Sequence, residues 1–168
     1  MKNFFLQYCL DNKFQQNNAQ IKSLELLTNF IRPDLSKNII LKLFTQPDKK
    51  LGFYLQGDVG VGKTMLLNFF FDQLDLPKKR MHFNEFMINF HDFRHTNKLQ
   101  DKDNSISIFV KNLKKKINLL YLDEFQVTNI VDAMILGKLF EFIFKEKIKV
   151  LISSNIKINN LYDDGLQR

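Results

Sequence analysis

A glycine-rich segment, Gly57 to Thr64, constrains the fold of this chain more than any other part of the sequence. It reads Gly-Asp-Val-Gly-Val-Gly-Lys-Thr and lies between a short apolar run, residues 51–56, and a longer run with helical spacing, residues 63–74. The pattern G-x-x-x-x-G-K-T between a strand and a helix is typical of a loop whose backbone N–H groups wrap a phosphate. The sequence therefore predicts a P-loop.

The residue types of this loop predict the contacts of a nucleoside triphosphate with Mg²⁺. We expect Lys63 to reach the β- and γ-phosphates and the Thr64 hydroxyl to ligate Mg²⁺, so that ATP and Mg²⁺ are the predicted cofactors. The alternative is a glycine-rich turn with an unrelated lysine, and the flanking strand and helix argue against it. The predicted phosphate-binding residues are Gly57, Asp58, Val59, Gly60, Val61, Gly62, Lys63, Thr64 and Met65.

Two carboxylates, Asp123 and Glu124, directly follow the apolar run 117–122. Ligands of parallel α/β sheets bind beyond the carboxyl ends of the strands, so we expect both side chains beside the P-loop. Asp123 is predicted to hold Mg²⁺, and Glu124 to polarise the water that attacks the γ-phosphate, as in a Walker B motif. Alternatively, the two acids only form the turn after the strand.

A polar amide, Asn155, ends the next apolar run, 147–153, after two serines. At the tip of a strand beside Asp123, an amide can orient the attacking water or contact the γ-phosphate. Asn155 is therefore a candidate sensor. A turn-forming asparagine is the alternative, since asparagine is favoured where strands end.

Strand-sized and helix-sized patterns alternate along the chain. This alternation is typical of a parallel sheet covered by helices on both faces, a three-layer α/β/α fold of the α/β class. We divide the chain into an N-terminal helical segment, residues 1–50, and an ATPase core, residues 51–168, and we expect residues 1–20 to be irregular after the first turn. The predicted strands are 51–56, 80–84, 117–122 and 147–153, and the predicted helices are 21–30, 63–74, 85–95, one ending at 114–116, and 129–145.

Composition limits the class of protein. With 168 residues, 45% of them hydrophobic, the chain can build one core. Its single cysteine, Cys9, excludes an internal disulfide and a cysteine zinc site; we interpret it as an inert thiol in a reducing compartment. No apolar run reaches the roughly 20 residues that cross a bilayer, and residues 1–10 do not resemble a signal peptide. We therefore predict a cytoplasmic protein without a transmembrane segment.

The net charge of +7 raises the question of a nucleic-acid partner. Most of the basic residues are lysines in a chain rich in Asn, Ile and Phe, which favours a codon bias over a dedicated binding patch. Nucleic acid is thus not an expected partner, and the lysines at 111 and 114–116 are interpreted as a solvated helix end. His82, His91 and His95 have no HExxH pattern and no cysteine partner, so we interpret them as ordinary histidines and not as metal ligands.

Several segments occur in an order that carries a more specific resemblance. After the P-loop come Lys-Arg-Met-His-Phe-Asn-Glu-Phe-Met at 79–87, Leu-Asp-Glu-Phe-Gln-Val-Thr-Asn-Ile-Val-Asp-Ala-Met-Ile-Leu at 122–136, Ser-Asn at 154–155, and Leu-Tyr-Asp-Asp-Gly-Leu-Gln-Arg at 161–168. From residue 51 to its end, the chain resembles the ZapE cell-division ATPases of bacteria and their mitochondrial AFG-one-like relatives, of the AAA+ class. Family members continue beyond Arg168 into another strand and a helical lid, so we expect the lid to be missing.

The resemblance implies a P-loop AAA+ fold and ATP hydrolysis by a homo-oligomer. For the bacterial members it implies division-ring proteins as partners and a location peripheral to the inner membrane. It also implies that Arg168 completes the active site of a neighbouring subunit, although a simple surface arginine is an alternative. The candidate catalytic residues are Glu124, Lys63, Asn155 and Arg168.

Two other functions remain open at this point. The end at Arg168 is compatible with a truncated, non-catalytic remnant that acts at most in binding or assembly. The positive charge and the P-loop are compatible with an AAA+ ATPase of the DNA-helicase-loader type.

Overall fold

Four strands and six helices make up the computed structural model, which describes residues 1–31, 50–98, 101–127 and 130–161. The strands are β1 (Gly52–Gln56), β2 (Lys78–His82), β3 (Leu119–Asp123) and β4 (Lys149–Ser154). The helices are α1 (Lys2–Asp11), α2 (Asn18–Ile31), α3 (Lys63–Asp72), α4 (Phe83–Thr96), α5 (Lys102–Lys114) and α6 (Ile130–Lys145), followed by a 3₁₀ turn at Ile158–Asn160.

The strands are all parallel and lie in the order β1-β4-β3-β2. β3 has a partner on each side, and all five of its residues are buried. Because helices cover both faces of the sheet, the sequence of β3 is continuously apolar up to Asp123. The predicted α/β class with a parallel sheet is confirmed.

Side chains of successive strand residues point to opposite faces and form two cores. On one face Leu120, Leu122 and Val150 pack with residues of α4, α5 and α6. On the other, Tyr121 and Leu151 pack with residues of α1, α2 and α3. The sheet is therefore the middle of three layers. The helix that follows the P-loop, α3, lies on the face of Tyr121 and Leu151.

The first helix differs from the sequence-based expectation. Residues 1–20 were expected to be irregular after the first turn, and this is wrong because α1 continues to Asp11. Phe5 and Cys9 lie four residues apart on one helix face and are fully buried, with the Phe5 ring 5.2 Å from that of Phe69 in α3. Burial raises the pKa of the Cys9 thiol, which keeps it protonated at neutral pH.

The N-terminal helices share their core with the remainder of the chain. Leu24 and Leu27 of α2 are buried in the same cluster as Leu66 and Phe70 of α3. The boundary at residue 51 between the N-terminal helical segment and the ATPase core stays a prediction.

The strand β2 and the two helices α2 and α4 begin earlier than the sequence pattern indicates. β2 starts at Lys78 and ends at His82, so Asn84 lies in α4 and not in a strand. Only Met81 is buried in β2, which explains why its apolar pattern is weak. α2 begins at Asn18, where the Asn17 side chain accepts a hydrogen bond from Ala19 N at 2.8 Å.

Across the described ranges, we find no helix whose length and apolar character would let it cross a membrane.

Candidate nucleotide-binding site

The P-loop connects β1 to α3 with two glycines in the left-handed region. Gly60 has φ +83° and Gly62 has φ +82°, a conformation that L side chains rarely adopt. Gly62 is also the N-cap of α3, so the loop leads directly into a helix N-terminus. The unpaired N–H groups and the dipole of that terminus favour an anion, as the sequence predicts.

The ammonium of Lys63 lies against this loop. It donates hydrogen bonds to the carbonyl oxygens of Gly57 at 2.6 Å and Asp58 at 2.7 Å, and to Asn155 Oδ1 at 2.8 Å. Phosphate oxygens are acceptors of the same kind, and charge-assisted bonds to them are strong. The contact also places Asn155, the candidate sensor, inside the site, although its role stays a prediction.

Asp123 ends β3, and its side chain is only 2% exposed. Oδ1 accepts from Glu124 N at 3.1 Å, from Thr64 Oγ1 at 3.5 Å and from the Ser153 hydroxyl. Oδ2 accepts from Arg80 Nη2 at 2.6 Å. The two predicted Mg²⁺ ligands, Thr64 and Asp123, are therefore neighbours.

The surroundings of Asp123 keep it ionised. Burial by itself would raise the pKa of this carboxyl, because the charged form loses water. The hydrogen bond from Ser153, together with the hydrogen bond and positive charge of Arg80, outweighs burial and holds the pKa below its usual value. Asp123 is thus a carboxylate at neutral pH, the form that binds a metal ion.

Glu124 follows in a strained backbone conformation. Its φ is +53°, which is uncommon for a residue other than glycine, and such conformations cluster at functional sites. The side chain is 76% exposed, and Oε2 lies 3.4 Å from His82 Nδ1. The carboxylate is therefore accessible to water, as a general base must be.

A small cavity of about 280 Å³ brings most of the predicted residues together. Gly57 and Asp58 contact Lys63 through their carbonyls, while Val61 lines a neighbouring cavity. Arg168, the predicted arginine finger, lies outside the described residues. The cavity is lined by Val59, Gly60, Gly62, Lys63, Thr64, Met65, Asp123, Glu124, Ser153, Ser154 and Asn155.

The neighbouring cavity is larger, about 640 Å³. Its walls are the segment from Phe14 to Gln20 and the P-loop side of α3, and it shares Gly60, Gly62 and Met65 with the smaller cavity. This volume is typical of small-molecule sites. A ligand with phosphates in the small cavity would thus have room for its remaining part.

Two site residues were missed by the sequence analysis. Arg80 and His82 contact Asp123 and Glu124, respectively, from the neighbouring strand β2. Their spacing of two residues, which puts both on one face of a strand, was the available signal. In the described residues, no group of three or more His, Cys, Asp or Glu side chains could hold a metal ion. A Mg²⁺ site formed by one carboxylate and the Thr64 hydroxyl fits this, because Mg²⁺ takes its remaining ligands from water and phosphate.

The turn at Gly62 allows a stability prediction. Gly62→Ala is expected to destabilise the nucleotide-free protein more than Gly60→Ala does. Both substitutions cost about 1–2 kcal/mol for the left-handed backbone. A Cβ at Gly62 would also lie 2.6 Å from Gln20 Nε2, whereas nothing lies within 4 Å at Gly60. Moving Gln20 breaks its hydrogen bond to Val61 O and adds about 1 kcal/mol.

Urea unfolding without nucleotide measures both variants. Equal losses of stability in Gly60→Ala and Gly62→Ala would contradict the contribution of Gln20.

Comparison with known proteins gives the family. Residues 7–168 match the family model described as AFG1-like ATPase. The chain is 39% identical over 136 residues to "Lactation elevated protein 1 homolog B" of Danio rerio, covering 74% of this chain and 27% of that protein. It is 38% identical over 118 residues to "Cell division protein ZapE" of Escherichia coli K12, covering 70% and 31%. The chain thus spans less than a third of the length of these curated relatives.

Solved structures share the fold at lower identity. Domain III of the replication initiation protein DnaA from Thermotoga maritima superposes with a TM-score of 0.53 at 22% identity, over 72% of this chain and 50% of that one. DnaI superposes with a TM-score of 0.50 at 20% identity, over 91% and 78%. These likenesses confirm the predicted P-loop AAA+ fold. The family model over residues 7–168 and the sequence identities of 39% and 38% show that the chain belongs to the AFG1-like ATPase family.

Proposed function

We propose that this chain binds ATP with Mg²⁺ and hydrolyses it to ADP and phosphate. The observation that carries the proposal is the convergence of the P-loop, the end of β3 and the end of β4 on one cavity. Each of the three elements brings a different group to it. The P-loop brings Lys63 and Thr64, β3 brings Asp123 and Glu124, and β4 leads into Asn155.

Phosphate binding is the first part of this function. The N-terminus of α3 and the Lys63 ammonium both supply positive charge at the loop. The Thr64 hydroxyl and the Asp123 carboxylate lie together and would hold Mg²⁺. When bound, Mg²⁺ neutralises charge on the phosphates.

Hydrolysis requires an activated water. Glu124 is exposed next to the phosphate cavity, where its carboxylate can accept a proton from the attacking water. Asn155 accepts a hydrogen bond from Lys63 in the nucleotide-free structure, and we propose that it orients the same water or the γ-phosphate when nucleotide binds. The remaining space for the nucleoside is the larger cavity beside the loop.

The wider role is proposed from the relatives. Because the Escherichia coli relative is a cell division protein, we propose that this chain takes part in bacterial cell division. We also propose, from the family resemblance, that it acts in the cytoplasm at the inner face of the membrane. We also propose a homo-oligomer in which Arg168 reaches the active site of a neighbouring subunit. An arginine at the γ-phosphate stabilises charge in the transition state.

Phosphate release measured over a series of protein concentrations tests this function. We expect Mg²⁺-dependent ATP turnover whose rate per chain rises with protein concentration as subunits meet. A folded protein with no turnover at any concentration would contradict the ATPase proposal and support the non-catalytic remnant. Turnover per chain that is independent of concentration would contradict the shared active site.

A further inference from the structure

Arg80 forms an ion pair with Asp123 and has no part in the function proposed above. It lies in the middle of β2, and its Nη2 atom is 2.6 Å from Asp123 Oδ2. The Arg80 side chain is 36% exposed, whereas that of Asp123 is 2% exposed. An arginine thus reaches from the rim of the site to a buried carboxylate.

Strand register fixes the direction of this arginine. Arg80 is the register partner of Tyr121 in β3, and its guanidinium carbon lies 5.4 Å from the centre of the Tyr121 ring. Asp123 follows two residues after Tyr121 and therefore lies on the same face of the sheet. The planar guanidinium packs over the ring with one edge against the carboxylate, which leaves it little freedom.

The contact makes the two oxygens of Asp123 different. Oδ1 faces Thr64 and also accepts from Glu124 N, whereas Oδ2 is held by Arg80 on the side of β2. The terminal torsion of a carboxylate is soft, so the partners of the two oxygens decide its orientation. Without Arg80, Oδ2 would lose its charged partner, and only the contacts of Oδ1 with Ser153, Glu124 N and Thr64 would orient the carboxylate.

We propose that Arg80 is a positioning residue that holds Asp123 with Oδ1 towards Thr64 and thereby couples Mg²⁺ binding to nucleotide binding. This rests on the proposed function, because it concerns the same site. Partners that orient a metal-binding side chain affect metal affinity by about 10–100-fold when they are removed. Arg80 does not contact the P-loop side chains, so its removal should affect the metal-dependent part of nucleotide affinity alone.

The experiment measures ATP affinity of the whole chain by calorimetry, once with Mg²⁺ and once with EDTA. The ratio of the two affinities is the coupling between Mg²⁺ and ATP. Arg80→Gln is compared with Lys79→Gln, which removes a positive charge from the adjacent exposed position of the same strand. We expect Arg80→Gln to lower the ratio by about tenfold and to leave the affinity in EDTA within about twofold. Lys79→Gln should change neither quantity.

Arg80→Lys serves as the second variant if Arg80→Gln does not fold. A lysine keeps the charge but lacks the planar group that packs on Tyr121, so we expect a lowered ratio here as well. A ratio equal to or above that of wild type, in either folded variant, would overturn the positioning role. A wild-type protein whose ATP affinity does not depend on Mg²⁺ would overturn the metal site and the Arg80 inference with it. If Mg²⁺ raises the ATP affinity of wild type and of the Arg80 variant by the same factor, the Arg80 inference is wrong and the metal site stands.

Discussion

Replacing Glu124 with Gln is expected to slow ATP hydrolysis by about 10²–10⁴-fold while leaving ATP affinity nearly unchanged. The amide is nearly the same size as the carboxylate but cannot accept the proton of the attacking water. Because the Glu124 side chain is largely exposed and its only described polar contact is His82, the substitution removes little binding energy. Steady-state phosphate release and calorimetric ATP binding measure the two effects on the same protein sample.

Glu141→Gln provides the matched control. Glu141 is an exposed glutamate of α6, and its replacement should leave turnover unchanged. Turnover of Glu124→Gln within about twofold of wild type would contradict the general-base role, since a lost base costs far more than that.

Replacing Lys63 with Ala is expected to weaken ATP binding by at least about 100-fold. The ammonium supplies charge-assisted hydrogen bonds, which contribute about 1.5–3 kcal/mol each. In the nucleotide-free structure the same ammonium links Gly57 O, Asp58 O and Asn155 Oδ1, so the substitution also removes the side-chain contact between the P-loop and Asn155. Calorimetric titration with ATP and Mg²⁺ measures the loss.

Lys138→Ala is a suitable comparison for this variant. Lys138 pairs with Asp103 at 2.6 Å on the surface formed by α5 and α6, and exposed ion pairs contribute little. Its removal should leave ATP affinity unchanged. Weakened binding in both lysine variants would point to the net charge of the protein and not to the P-loop.

The P-loop and the Asp123–Glu124 pair were predictable because each is encoded locally. The loop residues are contiguous, and the strand before and the helix after them can be inferred from the same stretch of sequence. Asp123 could be placed beside the loop without a structure, since parallel strands end at one edge of the sheet. The position of Asn155 followed from the same rule.

Arg80 and His82 could not be assigned because their partners depend on the pairing of β2 with β3. His82 is the register partner of Asp123, and Arg80 is the register partner of Tyr121. About 40 residues of chain separate the two members of each pair. A shift of one residue would turn both side chains to the other face. β2 carries one buried residue, so its own sequence does not define that register.

The first helix was missed for a related reason. Its sequence has a weak helical pattern, with the exposed side chains of Phe4 and Leu10 beside the buried ones of Phe5 and Cys9. The apolar surface that favours the helix is provided by α2 and α3, which follow later in the chain. Tertiary packing, and not local propensity, accounts for this element.

Direct titration of the purified chain with ATP and Mg²⁺ tests the central claim, that the P-loop and Asp123 form a nucleotide site. The structure predicts saturable binding at a single site per chain, competition by ADP, and loss of this binding in Lys63→Ala. Absence of heat at millimolar ATP with a folded protein, or equal affinity in wild type and Lys63→Ala, would contradict it.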